Sequence, residues 1–394
     1  MNAHASPVGG PILTRPLKIL LGVLAVGLLF LAWRFAAGLG GPTALNDGYP
    51  WGLWIAFDVV TGTALACGGY AIAILVYVLN RGRYHPLVRP ALVTSALGYT
   101  LGGLAVVIDV GRYWNVWKLP LFFWKWNLSS ILLEVALCIV LYTLVLWIEL
   151  APAFLDRWSQ EGTRSRLREL AGRITPRLEK AMPWLIALGL LLPTMHQSSL
   201  GSLMLLAGPK LHGLWLTPLL PLLFLVSCVG MGYGVVVMES SLASALFGRR
   251  PETRMLSALS TPMAIVLLLF VAIRGADIVY RGRLDLVATL DGQSILFLAE
   301  MALFLVPAIA LLLPGVRRDL SQLFRLAILM VLAGTLYRFS TYLIAYDPGG
   351  GWSYFPAVPE ILVTVGLIAA EVIGYILIVK RFPILSGAPE ALGT

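Results

Sequence analysis

The stretch LLPTMHQSSLGSLMLLAG at residues 191–208 sets one imidazole, His196, beside Gln197 and the hydroxyls of Ser198, Ser199 and Ser202 in an otherwise apolar run. Histidine, with an unperturbed pKa of about 6.5, is the side chain best suited to give or take a proton near neutral pH. Other ionisable residues interrupt apolar runs elsewhere: Asp58, Asp109 with Arg112, Glu134, Glu239, Arg274 with Asp277, Glu300, Arg338 and Glu371, while Tyr99 lies near the middle of another such run. Charge in such surroundings is costly and marks sites or ion pathways by default. Asp58, Asp109, Arg112, His196, Arg274 and Asp277 fall near one end of their runs, Glu134, Glu300 and Arg338 somewhat deeper, and Glu239 and Glu371 at or past the middle. The pattern predicts a polar cavity opening on one face, with a thinning trail of carboxylates leading inwards. A bland alternative exists for most of these residues. Asp109 with Arg112, Arg274 with Asp277 and Arg338 with Glu300 could be structural ion pairs, and His196 could be a helix-end histidine satisfied by Ser198 or Ser199. Glu239 and Glu371 have no such base within reach in sequence, and a protonated or water-solvated carboxyl at either place suits a proton relay.

The elements that hold these residues are membrane helices. Of 394 residues, 59% are hydrophobic and 12% charged, and the mean hydropathy is +0.85, far from a soluble domain with about a quarter of its residues charged. Apolar runs near the roughly 20 residues that cross a bilayer as a helix recur along the chain, where barrel strands would be half as long and alternating. The fold class is therefore all-α, a polytopic transmembrane bundle of about ten helices. The spans are read at 18–38, 52–79, 88–110, 127–150, 182–196, 215–247, 258–280, 292–314, 323–345 and 357–380, with a helix break expected after Pro193. "SSILLE" in the fourth echoes "QSILFLAE" in the eighth, and the third and seventh each end in an Asp and an Arg about one turn apart. Spans two to five and six to nine are thus a candidate parallel repeat, two four-helix units with flanking helices.

The charge of +9 is explained by topology rather than by nucleic acid. If the first span starts inside, about 20 Lys and Arg lie on the inner side and about six on the other, so the positive-inside rule makes both termini cytoplasmic. Residues 1–17 and 382–394 are then cytoplasmic tails around a bundle at 18–381. The first span has a signal-peptide-like basic flank, but its length and the orientation of every later loop favour a retained anchor. The basic segment 157–180 is a cytoplasmic connector or an amphipathic, lipid-binding helix. The opposite loops are aromatic and charge-poor, as in "RYWNVWKLPLFFWKWN", which reads as an interfacial belt or a docking face.

Several chemistries are unsupported. His4, His85, His196 and His212 cannot form a facing pair within the bilayer, so no haem is expected. Cys67, Cys138 and Cys228 lie in apolar runs and offer no iron–sulfur ligand set or disulfide framework. Nucleotide and zinc motifs are missing, and "GGG" at 349–351 is a turn. Two classes stay open on the residues alone: a quinone-reactive, proton-handling redox subunit, and a secondary transporter of a small ion or solute using intramembrane carboxylates.

A resemblance separates them. "PWGLWIAFD", "ACGGYAIAILVYVLNRGRYHPLVRPAL", "GYTLGGLAVVIDVGRYWN", "LLPTMHQSSLGSLM" and "PGGGWSYFP", in that order over nearly the whole chain, resemble the NrfD-like, polysulfide reductase membrane-subunit superfamily in its hydrogenase-2 branch. The resemblance implies a haem-free, menaquinone-reactive subunit of the bacterial inner membrane. Its expected partners are a periplasmic iron–sulfur protein and the large and small subunits of a Ni/Fe hydrogenase. The family's proposed proton route falls on Tyr99, Glu134, His196 and Glu239. For the quinone, depth and chemistry point to Asp58, Asp109 and Arg112, with His196 and Ser198 beside them.

Overall fold

The computed structural model describes residues 5–159, 165–249 and 252–386. Among them, ten helices are long and apolar enough to cross a membrane: α1 (Arg15–Ala37), α2 (Trp54–Val78), α3 (Gly82–Asp109), α4 (Ile131–Trp158), α5 (Ser165–Leu205), α6 (Leu220–Phe247), α7 (Thr253–Tyr280), α8 (Gly292–Ala310), α9 (Leu320–Ile344) and α10 (Val358–Arg381). The chain is an integral, multi-pass helical bundle. His4, Arg164 and Arg250, used in the reading of charge and ligands, lie outside the described residues.

Two spans form the buried centre, α2 and α6, and small residues let their neighbours close on them. A Cβ on Gly232 of α6 would come within 2.6 Å of the Cys67 carbonyl of α2, and one on Gly98 of α3 within 2.6 Å of Ala66. α1 and α10 meet at Gly27 and Gly366, where a Cβ added to Gly27 would lie 2.7 Å from the facing backbone. Between helices surrounded by lipid, such close packing replaces the hydrophobic drive.

α2 is not a regular helix. Trp54–Thr61 and Ile74–Val78 are π-helical, a geometry that recurs at functional sites because it leaves backbone groups to be satisfied otherwise. Side chains do this here: Thr61 Oγ1 donates to the Ala56 carbonyl (2.8 Å), Thr63 Oγ1 to Val59 (2.6 Å) and Arg338 Nε, from α9, to Val60 (3.0 Å).

The fifth span corrects the expectation. α5 runs unbroken for 41 residues through Pro176, Pro183 and Pro193, about 60 Å at 1.5 Å per residue. Its residues beyond the bilayer make most of the basic segment helical, and Ala171 and Leu178 pack on Leu155 at the end of α4. The break after Pro193 does not occur, so His196 and Gln197 stand inside a continuous helix, fully buried.

Both termini reach the same end of the bundle. The amides of Ser6, Val8 and Gly9 bond to the carbonyls of Leu385, Val379 and Lys380 at 3.0–3.1 Å. At the opposite end the PWGLW and GGGWSYFP motifs interlock. Tyr354 donates to Glu360 Oε2 (2.5 Å) and accepts from the Leu53 amide (2.7 Å), Glu360 Oε1 accepts from Ala44 and Ala357, and Trp54 Nε1 donates to the Glu360 carbonyl. Burial and the Glu360 carboxylate both push the Tyr354 hydroxyl above its ordinary value, which keeps it a donor. The aromatic loop after α3 coils into short turns with Trp114, Trp117, Phe123 and Trp124 exposed.

Candidate functional site

The core of the bundle holds a connected polar chain. His196 Nε2 lies 3.1 Å from Thr63 Oγ1, Gln197 Nε2 donates to the same hydroxyl (3.1 Å) and to the Tyr99 hydroxyl (3.4 Å), and Tyr99 in turn lies 3.7 Å from Cys67 Sγ. The Tyr99 ring stands edge-on to His196 and to Tyr142. His196, Gln197, Thr63 and Tyr99 all have essentially no exposure, and His196 Nδ1 is buried with no hydrogen-bond partner among the described residues. An imidazole with one free nitrogen, joined through hydroxyls and an amide to a tyrosine, can hold and pass a proton.

One cation closes this chain on the side of α9. Arg338 gives Nη2 to Gln197 Oε1 (2.9 Å) and to the Phe224 carbonyl (3.1 Å), Nη1 to Ser227 (2.8 Å) and Nε to Val60. No carboxylate among the described residues takes one of its hydrogen bonds. The expected Arg338–Glu300 pair does not form, because Glu300 faces Trp215 Nε1 (3.2 Å) instead. Arg338 therefore orients Gln197 so that its amide nitrogen points to Thr63 and Tyr99.

Asp58, in the π turn of α2, is almost buried and accepts from Thr364 Oγ1 of α10 at 2.7 Å. With Glu371 it lines a cavity of about 150 Å³ whose other walls are Phe57, Leu65, Leu101, Leu367 and Ile368 with Gly62, Gly98 and Gly102. Gly102 separates this cavity from the polar chain, since a Cβ there would sit 2.9 Å from Thr63 and 3.4 Å from the Asp58 carbonyl. An apolar slot carrying two carboxyls is suited to a lipophilic molecule with a polar head.

Other candidates lie elsewhere. Asp109 does not pair with Arg112: α3 ends at Asp109, Val110 turns extended, and Arg112 is exposed. Arg34 of α1 takes that place, buried, donating to the Ile108 and Val110 carbonyls at 2.8 and 2.9 Å and so standing beside Asp109. Glu134 sits in the first turn of α4, which Ser130 caps, with no hydrogen bond to the polar chain. Glu239 lines a small cavity with Tyr375, Arg249 and Glu252 at the end bearing the termini, and its Oε1 is buried with no hydrogen-bond partner among the described residues. Ser198 does not orient His196; its hydroxyl returns to its own helix, to Thr194 and Met195, because an unbroken helix always offers those carbonyls. Arg274 and Asp277 do approach, at 3.7 Å, though Asp277 is held more closely by Arg281 and Thr217. Thr63, Gln197, Arg34 and Thr364 carry no charge signal or no local partner in the sequence, and that is why residue type alone passes over them.

Comparison with known proteins fits this architecture. The polysulphide reductase NrfD family matches residues 41–346. A protein from Escherichia coli named "Probable Ni/Fe-hydrogenase 2 b-type cytochrome subunit" is 42% identical over 98% of this chain and 96% of its own length. The "Menaquinone reductase, integral membrane subunit" of Nitratidesulfovibrio vulgaris is 28% identical over 92% of this chain and 90% of its own.

Proposed function

The chain belongs to the polysulphide reductase NrfD family, and on that premise we propose that it is the quinone-reactive, proton-conducting membrane subunit of a Ni/Fe hydrogenase complex. Hydrogen is oxidised by partner subunits outside, and electrons reach menaquinone, the substrate here, through a partner iron–sulfur protein. The observation that carries this reading is the apolar cavity with Asp58 and Glu371 lying against a buried His196–Thr63–Gln197–Tyr99 chain. Two electrons to a quinone require two protons, and a quinone head held in this cavity would lie within one helix contact of groups able to supply them. His196 is the central proton carrier, Tyr99 its neighbour, and Asp58 the group facing the quinone. Glu134 and Glu239 extend the route towards the two ends of the bundle.

The name of the E. coli relative includes a b-type cytochrome, and haem in an electron-transfer b-type site calls for two facing imidazoles. His85 is on the 3₁₀ turn opening α3, His196 in the core and His212 in the loop after α5. These described histidines do not fit a bis-imidazole site. A solute transporter finds less support, since the one expected helix break, after Pro193, is continuous helix. Basic residues concentrate at the end bearing the termini, so that end faces the cytoplasm and the aromatic loops face the periplasm of the inner membrane.

The test is hydrogen-dependent reduction of a soluble menaquinone analogue by the purified complex. His196→Gln and Asp58→Asn should each lower it by about 100-fold or more, while hydrogen-dependent reduction of an artificial dye by the partner subunits persists. Wild-type quinone rates in both variants would sink the proposal.

A further inference from the structure

A second cavity, of about 220 Å³, lies among α2, α3, α4 and α5, and nothing in the proton route above uses it. Its walls include His85 and Arg89 near the end bearing the termini, Glu149 of α4, and Tyr70 and Tyr142 further in. The volume holds several waters, and although most of the wall is apolar, His85, Arg89, Glu149 and Tyr142 give them polar partners along it.

Glu149 stands out within it. Its carboxylate makes no hydrogen bond or ion pair with any described residue, and it lies so close to Gly189 of α5 that a Cβ there would be 2.8 Å from Oε1. Arg89, which shares the cavity, is held by Asp156 at 2.7 Å and by the Pro383 carbonyl at 3.1 Å. A carboxylate in a membrane helix with no countercharge needs either a proton or water. Tyr142 is seven residues from Glu149 on α4, two turns or about 10 Å deeper along the same face. Its ring meets Tyr99 edge-on at 4.5 Å, and Tyr99 is one end of the chain to His196. The cavity wall thus joins the terminal end of the bundle to the buried polar chain.

The cavity at Glu239 is much smaller. It measures about 30 Å³, and Arg249, itself buried, crosses it to the Leu385 carbonyl and Ser6 Oγ, tying the two terminal segments together.

We propose that the α2–α5 cavity is a water-filled proton inlet and that Glu149 is its proton-carrying residue, serving Tyr142, Tyr99 and His196 from the end that bears the termini. The inference rests on the reading of the bundle as proton-conducting. Glu149 takes a proton from water at that end and releases it to water beside Tyr142, and the carboxylate is then reprotonated from the same end; no other bond changes.

Two measurements on the whole complex test it. In the first, Ala73, a wall residue of α2, is changed to cysteine, and a charged, membrane-impermeant thiol reagent is applied from the terminal end. Ala73→Cys should be labelled while the buried native cysteines in the wild type are not; absence of labelling overturns the inlet whatever the redox function is. In the second, Glu149→Gln should lower kcat for quinone reduction about 10- to 100-fold with KM for the quinone and dye reduction unchanged, and Glu149→Asp should restore most of kcat. A wild-type complex that reduces no quinone refutes the proposed function rather than the inlet. An active wild type with Glu149→Gln equally fast, or with KM and dye reduction falling alongside kcat and no recovery in Glu149→Asp, refutes the inlet.

Discussion

Around Asp277, buried charge is met by opposite charge at short range: Arg281 grips the carboxylate through Nε (3.0 Å) and Nη2 (2.7 Å), Thr217 donates at 2.7 Å, and Arg274 stands at 3.7 Å. The same arginines pin the loop between α5 and α6 through the carbonyls of Gly213, Leu214 and Leu216. Around His196 the partners are hydroxyls, an amide and a phenol, and the one cation, Arg338, finds no carboxylate among the described residues. Asp277 and His196 are both buried, so burial alone does not separate them. The difference is in what a proton could do. Around Asp277 it would have to break an ion pair and leave an uncompensated charge, which costs about 3–5 kcal/mol. Around His196 one proton can be taken up as another leaves, with no ion pair broken, because imidazole nitrogens and hydroxyls can each donate or accept. The first arrangement holds a loop; the second is suited to traffic. The large apolar pocket of about 490 Å³ beside Asp277 does not change this, since its polar walls are the already engaged Asp277 and Arg281 with Tyr280.

Three substitutions would sharpen or break the contrast. The largest effect is expected at Arg338, which ties α9 to α2, α5 and α6. Arg338→Met leaves the Val60 and Phe224 carbonyls and Gln197 Oε1 unpaired, at about 1–3 kcal/mol each, so thermal unfolding in detergent should show a loss of about 3 kcal/mol or more, with quinone reduction lost too. A variant as stable as wild type would mean that α9 is not held to α2, α5 and α6 there. Next, Asp277→Asn should destabilise by about 3 kcal/mol, as expected when one partner of a buried pair is removed, yet leave quinone turnover per folded complex unchanged; a fall in turnover comparable to that of His196→Gln would erase the distinction between the regions. The smallest effect is expected at Ser198. Its hydroxyl serves only its own helix, so Ser198→Ala should shift stability by less than about 0.5 kcal/mol and leave the quinone rate as it was, and a rate loss of tenfold would restore the serine to the site.

Arg112 and Ser198 show why some of the site was illegible. Both are candidates in the sequence because a partner lies one turn or two residues away, and local spacing is all that a sequence offers directly. The cation beside Asp109 is instead Arg34, 75 positions earlier and bonded to the flanking Ile108 and Val110 carbonyls, because α3 stops at Asp109 and the chain turns Arg112 outwards while α1 packs alongside. Thr63 looks unremarkable in its run and Gln197 stands in the sequence only as a neighbour of His196, and both matter because α2 and α5 meet at that level. Tyr99 and His196 are more legible. The family resemblance names both, and the fold brings their rings to 5.6 Å. Glu149 is the opposite case: its place near the end of α4 hides it, and only the cavity beside it gives it meaning.

The amino-acid sequence by itself determined the class of the protein and much of its topology. The run lengths and hydropathy require membrane helices, and an even number of spans brings both ends to one face, as the bonds between Ser6–Gly9 and the end of α10 bear out. Residue types left two classes open, a quinone-reactive proton-handling subunit and a transporter using intramembrane carboxylates. What only the tertiary structure decided is which side chains meet. Lipid and helix neighbours are both apolar, so a span such as α6 has no strong polar face by which its rotation could be read. Hydrogen bonds, in contrast, act over about 3 Å and along fixed directions. A helix turned by one residue would part His196 from Thr63, so the site exists only when close approaches such as Gly98 on Ala66 and Gly232 on Cys67 set each helix in place.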